Sequence, residues 1–173
     1  MTDERSGTST AAAAPSGGPV AQTVHATCVV IGEVGVLIRG APGSGKSRLA
    51  RELVALARLQ GRFARLVSDD RTRLSARHGR VVAEAVAATA GRIEARGVGI
   101  LEVPHESRAV VRLVVELSTE EPTRFPEPED DVATLCGILV SCVRGQSGAP
   151  LADLVLSRLR EVHGPFLGRP AAL

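Results

Sequence analysis

The sequence predicts an α/β domain in which helices flank a mixed sheet. Three observations carry that expectation. Two apolar runs of strand length, residues 24–31 and 34–38, face each other across Gly32-Glu33. A glycine-rich turn from Gly40 to Ser47 follows the second run, and a helical pattern starts inside it. A further short strand, residues 63–67, then ends in Ser68-Asp69-Asp70. Strand, glycine-rich turn, helix and strand in that order make one βαβ-type unit.

The remaining elements follow from local pattern. Residues 1–19 are Ala, Gly, Ser, Thr and Pro with a few charges. They lack the apolar surface to offset ordering entropy, so a disordered tail is expected, with the folded domain over 20–173. Leu49, Leu53 and Leu56 share one helical face, and Gly61 is the expected stop. Residues 72–93 read as strands with a turn near His78-Gly79, although 83–90 is Ala-rich and ambiguous. Residues 109–117 form a buried strand, 118–130 a Pro- and acid-rich loop, and 138–143 a short strand. Pro150 opens a last helix with Leu151, Leu154, Leu159 and Val162 as its apolar face, stopped by Gly164-Pro165.

Composition excludes several classes. With 173 residues the chain can bury a real core. Net charge is +2 with mixed signs, and aromatic content is 2%, so neither a basic stripe nor a base-stacking platform for nucleic acid exists. No apolar run approaches the ~20 residues of a membrane span. Cys28, Cys136 and Cys142 form no CxxC pair, which argues against a disulfide framework or zinc and for a reduced, cytoplasmic compartment.

Gly40-Ala41-Pro42-Gly43-Ser44-Gly45-Lys46-Ser47 matches the Walker A pattern G-x-x-x-x-G-K-S at every position. Its glycines let backbone N–H groups turn inward around phosphate oxygens, and the following helix points its positive end at them. Lys46 reaches the β- and γ-phosphates, and the Ser47 hydroxyl takes Mg²⁺. Of 21 basic residues, Lys46 is the only lysine. A compact ammonium suits a phosphate nest better than a planar guanidinium.

The chain has no asparagine and no second lysine, so it cannot carry the Asn-Lys-x-Asp motif of guanine-specific switches. No Leu-Ser-Gly-Gly-Gln-like stretch supports a transport ATPase. A small kinase or compact ATPase remains. Asp69 and Asp70 stand at the carboxyl end of a strand, where open α/β sheets bind ligands. A kinase needs one such carboxylate to accept the proton of the incoming hydroxyl, but a solvated turn pair has the same pattern. His25, placed on the strand before the phosphate-loop strand, reads by itself as an ordinary sheet histidine. Glu94, beside an Arg-Gly-x-Gly turn, reads by itself as a surface ion pair.

Taken together, the His25 strand, GVLIRGAPGSGKS, LVSDD and EARGVGILEV, in that order and at close spacing, resemble the HPr kinase/phosphorylases over most of residues 24–145. The resemblance implies a P-loop kinase domain that uses ATP and Mg²⁺ to phosphorylate a serine of HPr or a paralogous phosphocarrier. It implies Ser47 and Glu94 as Mg²⁺ ligands and Asp70 as proton acceptor from the serine, or proton donor in phosphorolysis. It further implies His25 as the neighbour that tunes Asp70, Arg124 as a further catalytic arginine, and a homo-oligomer, since the family is hexameric. Only a tail precedes His25, as in the short form of alphaproteobacteria, and Pro42 stands where Ser is usual. The family's C-terminal basic-Gly segment, tied to dephosphorylation, is matched only by Val143-Arg144-Gly145-Gln146. Two other classes fit the residues alone, a kinase of a small metabolite and a non-catalytic nucleotide-sensing module.

Overall fold

The computed structural model describes residues 21–120 and 131–162. The expected tail, Arg124 and the Gly164-Pro165 stop lie outside them. In chain order the elements are β1 (Ala21–Val24), β2 (Ala26–Ile31), β3 (Val34–Gly40), α1 (Lys46–Leu59), β4 (Ala64–Ser68), β5 (Thr72–Arg77), β6 (Arg80–Ala85), β7 (Arg92–Ala95), β8 (Gly99–Glu102), β9 (Arg108–Ser118), β10 (Val132–Leu135), β11 (Ile138–Gln146) and α2 (Ala152–Val162). Nine strands form one mixed sheet along the path β1-β5-β6-β9-β3-β2-β4, with β11 also on β9 and β10 on β11. Hairpin β7–β8 is a separate two-stranded sheet.

The centre of the sheet is buried on both faces, which is why β2 and β3 read as continuous apolar runs. On one face Val36, Ile38, Leu113 and Val115 pack against Leu49 and Leu53 of α1 and Leu156 and Leu159 of α2. On the other, Leu37 and Val114 meet Leu74, Val81, Leu135 and Val140. That second core contains no helical residue, so the outer strands curl over the central ones to close it. Leu53 is fully buried, and its replacement by Ala would cost about 2–5 kcal/mol.

β3, β9 and β11 run parallel, and β2 lies antiparallel to β3 and β4. The unit β3–α1–β4 therefore has the expected order but with β2 inserted between its strands. α1 ends as anticipated at Gly61, whose φ is 71°. The Gly61 and Arg62 N–H groups reach back to the Arg58 and Ala57 carbonyls at 2.9 Å each, closing a Schellman motif.

Two local expectations, for His25 and for the apolar face of α2, need correction, and one strand lies where none was expected. His25 is not within a strand; it sits at a bend where the chain leaves β5, the partner of β1, for β3 and β4, the partners of β2. β10, Val-Ala-Thr-Leu, carries no sequence signal of its own because four residues beside the acid-rich loop are too few to show a strand period, and only Leu135 is buried. In α2 the buried face is Val155, Leu156 and Leu159, while Leu154 is 54% exposed. The Ala-rich stretch resolves into the end of β6 and a single 3₁₀ turn at Ala87–Thr89.

Candidate active site

The phosphate loop joins β3 to α1 at the carboxyl ends of the parallel strands. Its glycines are required by conformation: Gly40, Gly43 and Gly45 have φ of 151°, 77° and 94°. At Gly40 a Cβ would also come within 2.7 Å of the Leu117 carbonyl oxygen. Gly45 caps α1 without a side-chain bond, and the first turn holds no acid, so no internal anion competes for its free N–H groups.

Lys46 is 6% exposed, and its Nζ donates to the Gly40 and Ala41 carbonyls at 3.1 and 3.0 Å. Burial pulls this ammonium below its ordinary pKa, while the Asp70 and Asp69 carboxylates oppose that pull. A buried cation held only by loop carbonyls suits an arriving phosphate. The Ser44 hydroxyl, buried in the same loop, has no hydrogen-bond partner. Loop, helix start and lysine thus fit a polyphosphate.

A β-bulge decides the roles of the two acids. β2 and β4 pair Val29 with Leu66 but Cys28 with Ser68, so Val67 is an extra residue. Beyond the bulge, Asp69 falls opposite Thr27, on the helix-side face. Asp69 is 5% exposed and accepts from Thr27 Oγ1 at 2.7 Å and Ser47 Oγ at 2.9 Å on one oxygen, and from the Glu94 N–H at 3.0 Å on the other. Asp69 therefore points at the loop. By accepting the hydrogen bond of Ser47 it leaves that hydroxyl's lone pairs free for a cation.

Asp70 leaves β4 in the left-handed region at φ 64°, tolerable for aspartate, in a turn closed by the Arg71 N–H on the Asp69 carbonyl at 2.7 Å. Its carboxylate stands in the cleft mouth, 2.9 Å from His25 Nδ1. The bend that removes His25 from a strand is what carries it there.

The cleft has a volume of about 960 Å³, and His25, Lys46, Ser47, Asp70, Glu94 and Arg96 all line it. Hairpin β7–β8 brings Glu94, which makes no ion pair among the described residues, so the surface-pair reading fails. The hairpin also brings Arg96, a residue the sequence reading passed over although it lies in the Glu-x-Arg-Gly-x-Gly turn. Its guanidinium overhangs the loop, 3.6 Å from where a Gly43 Cβ would sit. Among the described residues no cluster of three or more His, Cys, Asp or Glu could hold a metal unaided. Mg²⁺ keeps waters and takes substrate phosphates with one or two protein ligands, so Ser47 and Glu94 fit it.

The model of the HPr serine kinase C-terminal domain matches residues 19–130. The chain belongs to that family. The HPr kinase/phosphorylase of Limosilactobacillus reuteri is 32% identical over 163 residues, covering 87% of this chain and 49% of the relative. That of Clostridium tetani is 36% identical over 81 residues, 47% of this chain and 25% of the relative. The chain thus spans half or less of the curated relatives' length. The solved HPr(Ser) kinase/phosphatase of Coxiella burnetii superposes with a TM-score of 0.64 at 27% identity, covering 81% of this chain and 89% of that one. The mixed α/β architecture is accordingly the one anticipated from the sequence.

Proposed function

We propose that this chain is an ATP-dependent kinase that phosphorylates a serine of the phosphocarrier HPr or a paralogue. The observation that carries the proposal is the unequal use of two adjacent acids. Asp69 spends both oxygens on Thr27, Ser47 and Glu94, whereas Asp70 keeps a carboxylate in the cleft mouth with His25 beside it. A module that only bound nucleotide would have no use for a free carboxylate there; a kinase needs one.

Lys46 and the loop N–H groups hold the phosphates, and Arg96 offers a further cation from the opposite side. Ser47 and Glu94 would hold Mg²⁺, which would supply positive charge to neutralise the transferred group. Asp70 accepts the serine proton as the serine Oγ bonds to the γ-phosphorus and the bond to the bridging oxygen breaks, releasing ADP. His25 fixes the orientation of that carboxylate. In phosphorolysis, where inorganic phosphate attacks the phosphoserine phosphorus to form pyrophosphate and the bond to serine Oγ breaks, the protonated carboxylate would give its proton to that departing oxygen.

We place the enzyme in the cytoplasm, in keeping with its three free thiols. We expect a homo-oligomer, in keeping with Val98 and Ile100, 73% and 71% exposed at the hairpin tip. The test is incubation with labelled ATP, Mg²⁺ and HPr, scored for phosphoserine. Label on HPr serine that vanishes in Asp70→Asn is the expected result. No labelled protein, with ATP still bound, would favour a small-metabolite kinase or a sensing module.

A further inference from the structure

We propose that Thr27 is a positioning residue for the metal shell, acting through Asp69. The inference rests on the kinase reading for its metal-dependent part only. Thr27 lies in a strand that is otherwise apolar, Ala-Thr-Cys-Val-Val-Ile, and is 0% exposed. Its face is that of Val29 and Ile31 in the helix-side core. A hydroxyl in such a place is costly unless bonded, and valine would fill the same volume without that cost. Its Oγ1 instead donates to Asp69 Oδ1 at 2.7 Å.

The same Asp69 oxygen receives the Ser47 hydroxyl at 2.9 Å, and the other receives the Glu94 N–H at 3.0 Å. Thr27 thereby locks the carboxylate that orients both residues suited to the cation. The link is also mechanical. Hairpin β7–β8 is outside the main sheet, and the Asp69 bond ties the backbone of Glu94 to the start of α1. Without the Thr27 bond the carboxylate keeps only the Ser47 and Glu94 bonds and is held less firmly about its terminal torsion. Ser47 and Glu94 then lose their common reference.

The test compares Thr27→Val, which removes only the donor, with Thr27→Ser, which keeps it. The first readout uses the full chain free of nucleotide and metal: hydrogen exchange of the Glu94 amide against amides of β3. In Thr27→Val the Glu94 amide should exchange about tenfold faster while β3 is unchanged. The second is the Mg²⁺ concentration for half-maximal phosphoryl transfer, which should rise about 10- to 100-fold, the usual worth of a residue that orients a metal ligand. ATP affinity without metal should stay within about twofold, because the loop and Lys46 hold the phosphates. Thr27→Ser should restore both. Unchanged Glu94 exchange in Thr27→Val, or a Thr27→Ser protein that behaves like it, overturns the proposal. Where Thr27→Val does not fold, Thr27→Cys against Thr27→Ser makes the same comparison with a weak donor. If the wild-type protein phosphorylates no serine, the kinase reading falls, and the amide measurement still decides whether Thr27 positions Asp69.

Discussion

Asparagine at position 69 and at position 70 should give opposite phenotypes. Asp69 accepts three bonds, from Thr27 Oγ1, Ser47 Oγ and the Glu94 N–H, and is 5% exposed. An amide offers one acceptor and one donor in place of two acceptors. If its NH₂ meets the Glu94 N–H, two donors collide. If it turns round, the two hydroxyls must accept, and Ser47 points its proton at the cation. A bond to a charged group is worth about 1.5–3 kcal/mol and a neutral one about 0.5–1.5, so three weakened bonds cost about 3 kcal/mol. Against a total stability of about 5–15 kcal/mol that is a large shift. Asp70 is 68% exposed with one partner, and asparagine accepts its left-handed backbone, so Asp70→Asn should move stability by less than about 0.5 kcal/mol. Its phosphoryl-transfer rate should fall about 10²–10⁴ with ATP affinity intact. Urea unfolding, ATP titration and phosphoserine formation read the three quantities. An Asp69→Asn protein as stable as wild type, with an unchanged Mg²⁺ titration, would refute the bulge-based assignment.

Four further outcomes follow from the site and the core. Lys46→Ala should abolish nucleotide binding, and Lys46→Arg should come close to it, because a guanidinium does not fit between the Gly40 and Ala41 carbonyls; ATP titration decides. Arg96→Ala should leave the urea midpoint unchanged and slow phosphoryl transfer about 10²–10³, the worth of one donor to developing charge. Burial pushes the Cys28 thiol up to about 12 and that of Cys142 up to about 11, so at pH 8 a thiol reagent should label native protein at Cys136 alone and all three sites in denaturant. Because the folded Cys28 value lies above its ordinary 9.0, stability is intact below that pH and declines between it and about 12, which denaturation at stepped pH will show.

Some of this molecule is local and could be read from the chain alone. The phosphate loop needs left-handed glycines at set offsets, and a helix needs leucines at its own period, so both are written in adjacent residues. Lys46 stands out because no other lysine competes with it. Two adjacent acids at a strand end mark a ligand site for the same reason. Which of them enters the site is a matter of strand register. The extra residue Val67 moves Asp69 to the helix side, and a slip of one residue reverses every side chain beyond it. No local pattern announces that bulge, because it is set by the pairing of β4 with β2. The same holds for His25, turned to Asp70 by a bend between two sets of strand partners, and for Arg96, carried over Gly43 by a hairpin that pairs only with itself. Thr27 is the sharpest case, a lone hydroxyl in an apolar strand whose purpose exists only once Asp69 is folded against it.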